Sequence, residues 1–503
     1  MTQSSNRTFG ICYNILVQLP TKPVIGRWRA IDGGASPDAT APRRATSAWA
    51  PLKLASAYLL GTFALFLTIG RAAESPDLVR LTLFVLAAVA ALCLGYAACV
   101  LRQGGMRAAP VQDLAAQQAP RPLVAVCATY VLLLGIAQLG LIGVSSPIEL
   151  AHAVTHPGER YFHQLQQEGQ FSRPVQVLTL LAVLYPLLIP LAVWFWASLG
   201  RPLQLYVLAS IATYTLYFMA IGILKGLGDM LIWWGASYLL LLGYRSLRPI
   251  RSRPAGRTSG WRHVVACTAV LLAFVGYMSF NQIDRARTSG QGPAIAGNPV
   301  VAQLVGDDLA AGLAVTLSYP THGYLGLSHN LSVPFEWTRG LGASPALGSY
   351  LEQYTGINPR HSDRYTARTE AATGWPDGMY WSTIFPWLAS DLTYPGSIAF
   401  MALVGWFLAK FWWEAIRQRR LLSMALFCQL ALLIAFVPAN NQLGQTRPAL
   451  IAFVSLCALS VSDRLRRWAA LTASSGGPRV RDGTPVASRA EEAPPHRLVA
   501  VGG

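Results

Sequence analysis

The chain has 503 residues, of which 53% are apolar and only 13% charged, with a mean hydropathy of +0.38 and a formal net charge of +17. Soluble domains carry about a quarter charged residues, so this composition excludes an ordinary soluble globule and points to a polytopic membrane protein. A positive excess can mean nucleic acid or membrane topology, and its distribution decides between them.

In chain order, residues 1–50 come first, with Arg27, Arg29, Arg43 and Arg44 among Gly, Pro and Ser. The short apolar stretch Ile11 to Leu19 has no cleavage site after it, so a disordered basic cytoplasmic extension is expected here and a signal peptide is not. A bilayer core of about 30 Å needs roughly 20 apolar residues. About ten segments approach this, at 54–70, 78–101, 122–144, 175–199, 203–224, 229–243, 264–280, 395–413, 421–437 and 448–462. They group as seven transmembrane helices within residues 51–280 and three within 395–465. Residues 466–503 have the composition of a disordered tail. With the N-terminus cytoplasmic, every Arg-rich connector (102–121, 244–263, 414–420 and the tail) falls on the cytoplasmic side. The segment 281–394 then faces outward, and its six Arg stand against nine Asp or Glu. No basic face is left over for nucleic acid. The seven cysteines contain no C-x-x-C pair and are read as small core residues.

Lys225, in GILKGLGD, is a lone cation between two spans, costly there unless partnered or hydrated. It either serves an anion or pairs with Asp229 one helical turn on. Within the large outer loop, residues 299–318 suit a short helix on or dipping into the membrane, interrupted by Asp307 and Asp308. The loop continues with THGYLGLSHNL, FEWTRGLG, NPRHSDRYTARTE and WPDGMYWSTIFPWLASDLTYPG. Asn358 followed by Pro359 reads as a helix start, with the helix running to about Ala372. Arg360, Arg364 and Arg368 would then line one face, an arrangement of like charges that makes sense opposite an anion. Guanidinium matches phosphate oxygens with paired hydrogen bonds, so a lipid-linked diphosphate fits; local pairs to Asp363 and Glu370 are the plainer alternative. Arg339 and Arg285 are further candidates, the latter with Asp284 beside it. His322 and His329 suit general-base work near neutral pH, and Asp391 is a carboxylate at the membrane boundary. Neither histidine has metal-ligand spacing, and no metal or other cofactor is expected.

The order of parts resembles the O-antigen polymerase family (Wzy-type, oligosaccharide repeat unit polymerases). The shared features are about ten spans, a G-x-x-K-G motif at Gly222 to Gly226, and a large outer loop before the last three spans. The loop closes with Thr383-Ile-Phe385 and then Asp391 to Gly396 before the chain returns to the membrane. The resemblance covers about residues 50–465. It implies an all-α, GT-C-like fold of about ten transmembrane helices in a bacterial cytoplasmic membrane, with short helices in the extracytoplasmic loop. It also implies a metal-independent glycosyltransferase that polymerises polyprenyl-diphosphate-linked oligosaccharides, with membrane lipid and a chain-length regulator as partners. Lys225, Arg339, Arg364 and Arg368 would hold the diphosphates, with Arg285 and Arg360 beside them, and His322 or Asp391 would be the base. A glycan ligase and a flippase without covalent chemistry are the alternatives.

Overall fold

The computed structural model describes residues 48–69, 71–104, 119–166, 173–247, 260–289, 299–357 and 361–475, and among these there is no strand. The helices are α1 (Ala50–Ile69), α2 (Leu78–Gly104), α3 (Arg121–Leu141), α4 (Pro147–Thr155), α5 (Pro157–Gln166), α6 (Arg173–Leu180), α7 (Leu184–Phe195), α8 (Arg201–Ala220) and α9 (Lys225–Leu247). They continue as α10 (Gly260–Thr288), α11 (Pro299–Val305), α12 (Asp307–Leu331), α13 (Pro345–Thr355), α14 (Tyr365–Thr373), α15 (Phe385–Gln418), α16 (Leu421–Ala435), α17 (Gln442–Gln445) and α18 (Arg447–Ser475). Among the described residues eight helices are long and apolar enough to cross a membrane: α1, α2, α3, α8, α9, α10, α15 and α18. The other two expected spans correspond to shorter apolar helices, Leu184–Ser198 and Leu421–Ala435. The fourth expected span, 175–199, is broken by a turn at 181–183 into α6 and α7.

The chain divides into two compact units, Met1–Ser460 and Val461–Gly503. In the second, the described residues carry on α18, where Arg467 pairs with Asp463 one turn back at 3.0 Å. In the first, α15 packs along α2, and α8 along α3. The α2–α15 contact is a backbone-to-backbone approach: a Cβ on Gly95 would stand 1.8 Å from the Ala402 carbonyl oxygen. Small residues of this kind let membrane helices pack where no hydrophobic drive separates protein from lipid. The buried core runs through these helices, with Trp412, Tyr96, Tyr244 and Tyr324 among its largest fully enclosed side chains.

The segment expected as one large loop, 281–394, is mostly built into the helical body. α10 continues to Thr288 and α15 begins at Phe385, so the loop is shorter at both ends. Between them α12 runs for 25 residues and packs on α10, α1 and α2. Its C-terminal half is THGYLGLSHNL, a largely buried helix where the sequence reads as loop. The break before it falls at Gly306, whose φ of 88° a glycine adopts without penalty. Asp307 and Asp308 then occupy the first turn, where the helix dipole favours carboxylates. α15 is itself interrupted at Thr393 (φ 65°, ψ 169°), two residues before Pro395. The apolar stretch expected to start at 395 therefore begins just past a true break.

Candidate functional site

The site is organised by α12. His322 and His329 are seven residues apart, two turns, and so share a face. Between them a Cβ on Gly323 would lie 1.9 Å from the Pro438 carbonyl oxygen, and one on Gly326 would lie 2.4 Å from that of Trp381. The two glycines thus let the segment 375–383 lie directly on the helix. The Trp375 ring stands 4.8 Å from the His322 ring and 5.4 Å from that of His329. Tyr380 meets His322 edge-on at 4.8 Å.

Beside this face opens a cavity of about 940 Å³. Its lining combines apolar side chains, among them Phe66, Val301, Leu313, Leu317 and Leu325, with the polar Arg71, Gln282, Arg285, Tyr319 and His322. Arg285 is anchored from behind: it donates to the Gly222 carbonyl, and its guanidinium lies 3.5 Å from the centre of the Tyr161 ring. Its Nε has no hydrogen-bond partner. Asp284, its chain neighbour, instead accepts from the Gly158 amide at 2.7 Å. Arg71 enters from the turn between α1 and α2, held by both oxygens of Glu74. That hydrogen-bonded pairing holds the Arg71 guanidinium above its ordinary pKa and the Glu74 carboxyl below its own. Burial, with Arg71 nearby, pushes His322 down to about 4, so its imidazole is neutral at physiological pH. Its Nε2 has no hydrogen-bond partner. His329 is also lowered by burial, with the Glu74 charge opposing. Among the described residues no group of three or more His, Cys, Asp or Glu could hold a metal ion.

Comparisons with family models, curated proteins and solved structures give no match for this chain.

The remaining expected site residues are not on the cavity wall. Arg360, with the helix start at Asn358 and Pro359, lies outside the described residues. The described helix α14 begins later, at Tyr365, whose amide donates to Ser390 Oγ at 3.1 Å. Arg364 is its N-cap, with extended backbone (φ −64°, ψ 147°), so Arg364 and Arg368 do not stack as successive turns of one longer helix. Arg364 is 5% exposed, and its Nε and Nη2 lack partners. Burial lowers its pKa, against the charges of Asp377, Asp391 and Glu352. Arg368 pairs with Glu336 at 3.3 Å. Asp391 takes hydrogen bonds from the Thr338 hydroxyl and from the Gly340 and Ala343 amides, at 2.7 and 2.8 Å for the latter two. This carboxylate ties down the turn in which Arg339 has a φ of 57°. Lys225 pairs with Asp229 at 3.8 Å, and Gln442 of α17 donates to both oxygens of that carboxylate at 3.2 Å.

Sequence reasoning missed Arg71, Tyr161 and Gln442. For Arg71 a signal existed: it is a basic residue on the side expected to face outward, where the topology rule places few. Tyr161 and Gln442 give none, because their importance comes only from what tertiary packing sets beside them.

Proposed function

We propose that the chain is a membrane glycosyltransferase of the O-antigen polymerase type, acting on polyprenyl-diphosphate-linked oligosaccharides in the α12 cavity. The observation that carries this reading is the mixed lining of the cavity. Apolar side chains together with two guanidinium groups suit a ligand that joins an isoprenoid to a diphosphate. In this reading the N- and C-termini are cytoplasmic, the cavity faces the outside of a bacterial inner membrane, and the architecture is GT-C-like with about ten spans.

The chemistry follows from the polar residues of the lining. A hydroxyl of the incoming lipid-linked repeat unit attacks the anomeric carbon of the donor glycan. As that C–O bond forms, the bond from the anomeric carbon to the diphosphate oxygen breaks, and its electron pair leaves with the diphosphate. The hydroxyl proton passes to the neutral His322, whose unpartnered Nε2 can accept it. Arg285 neutralises the charge that gathers on the leaving diphosphate, where preorganised donors have their largest effect, while Arg71 stays paired with Glu74 at the rim. Asp391 is spent on three donors and holds the loop. Arg364 and Arg368 already face acids, Asp377 and Glu336 among them, and take no part in this step.

The test is reconstitution of the purified chain in proteoliposomes with a polyprenyl-diphosphate-linked oligosaccharide, the products being separated by length. A ladder of several repeats is expected, lost in His322→Ala and Arg285→Ala while both variants insert normally. A single transfer to another acceptor would favour a ligase. Movement of intact lipid across the bilayer with no new glycosidic bond would overturn the enzyme reading.

A further inference from the structure

Trp375 is 8% exposed and sits just after the Gly374 cap of α14. Its ring lies close to both α12 imidazoles, inclined at 30° to His322 and 33° to His329. Tyr380 closes the arrangement, 5.1 Å from Trp375. A Cβ on Gly326 would come within 2.8 Å of Trp375 Nε1, so the indole occupies a slot that the spacing His-Gly-x-x-Gly-x-x-His leaves open. That Nε1 has no hydrogen-bond partner, so the indole is held in the slot by ring packing and close fit.

We propose that Trp375 is the positioning residue of this site: the indole packed against both imidazoles fixes the orientation of His322 and keeps water from it. The inference rests on the proposed role of His322 as base. Physically, an imidazole walled on one face by an indole and on another by a phenol keeps its neutral form across the physiological range. The charged and titratable groups around it are Arg71 and Glu74 from the turn after α1, His329 on its own helix, Tyr380 from the overlying segment, and Arg285 on α10 at the cavity wall. Removal of the indole leaves all of these in place.

The experiment is carbethoxylation by diethyl pyrocarbonate, which acylates neutral imidazole. The rate at His322 is followed by peptide mass spectrometry from pH 4.5 to 8 on the full chain in nanodiscs. In the unaltered protein the rate at pH 5.5 should nearly equal that at pH 8. In Trp375→Ala the His322 midpoint should climb toward the free-imidazole value of about 6.5, so that the pH 5.5 rate falls about tenfold relative to pH 8. Trp375→Phe should keep the original profile. Trp375→Leu, which fills space without a ring and serves if the Ala variant does not fold, should fall about threefold. Unchanged profiles in every variant that folds would overturn the proposal. A shifted profile with undiminished glycan extension at pH 5.5 would uphold Trp375 and remove His322 as the base. An unchanged profile with extension lost in His322→Ala would do the reverse.

Discussion

Arg285 and Arg364 are both taken largely out of water and both keep donor atoms without partners, yet their surroundings differ. Arg285 is anchored from behind by a backbone carbonyl and a tyrosine ring and borders a cavity in whose lining, among the described residues, there is no carboxylate. Arg364 is not on that lining, and the charges of Asp377, Asp391 and Glu352 act on it. The comparison teaches that a polar stretch of sequence is a poor guide to which cation lacks a counter-charge. What matters is whether a buried cation faces open volume or facing acids, since a cation hemmed by acids is already compensated while one at an acid-free wall still lacks a counter-charge.

The largest effect that could break this contrast is at the two arginines themselves. Arg285→Ala should lower glycan extension about 100-fold or more, on the order of 3 kcal/mol, as for other removed transition-state donors. Arg364→Met keeps the bulk but takes away the positive charge facing Asp377, Asp391 and Glu352, and removing one side of a buried charge cluster is destabilising. It should retain extension within about threefold while lowering thermal stability. The reverse pattern, measured in the same reconstituted assay, would move the anion from the α12 cavity to the Arg364 turn.

Next in size is the packing that makes the cavity's lining. Gly326→Ala forces a Cβ against the Trp381 carbonyl and the Trp375 ring, and overpacking of this kind costs about 1–3 kcal/mol. The loss should appear in thermal unfolding together with reduced extension. An Ala variant with unaltered stability would mean that the 375–383 segment is not seated on α12 as described.

The spans were legible because hydropathy is a collective signal: about twenty residues vote together, and single errors do not matter. Among the described residues eight of the ten expected positions carry a helix long and apolar enough to cross a membrane, and the fourth and ninth carry shorter apolar helices. α12 was not legible as a long helix. Its buried half contains Thr321, His322, Ser328, His329 and Asn330, which hydropathy scores against burial, and the rings and carbonyls that pack against them come from residues more than forty positions later. His322 and Arg285 were named from residue chemistry alone, and both line the cavity. Arg364 and Arg368 were chosen on an assumed helical register, and the described helix starts too late to give it.

A smaller effect concerns pH. The folded-state value of His322, about 4, lies below the unfolded value of about 6.5, so the unfolded chain binds more protons between those limits. Stability contributed by the neutral, buried imidazole is fully present above about pH 6.5 and is lost as pH falls toward 4. Thermal unfolding should show this slope, and His322→Phe should flatten it. An equal slope in both proteins would mean that His322 is not kept neutral by its surroundings.

The smallest expected effect is at Lys225, the residue that sequence reasoning marked most readily as an intramembrane cation. Its side chain is 34% exposed and its ammonium already faces Asp229, which Gln442 grips from the other side. When the lysine is lost, the buried Asp229 carboxylate keeps Gln442 as its donor on both oxygens. Lys225→Met should therefore change extension by less than about fivefold. Asp229→Ala should destabilise more, because it strands the buried Gln442 amide without its acceptor. If Lys225→Met instead abolished extension with the fold intact, the ammonium would have to leave Asp229 and reach substrate during the reaction. The contrast between open and compensated cations would then describe only the resting state of the protein.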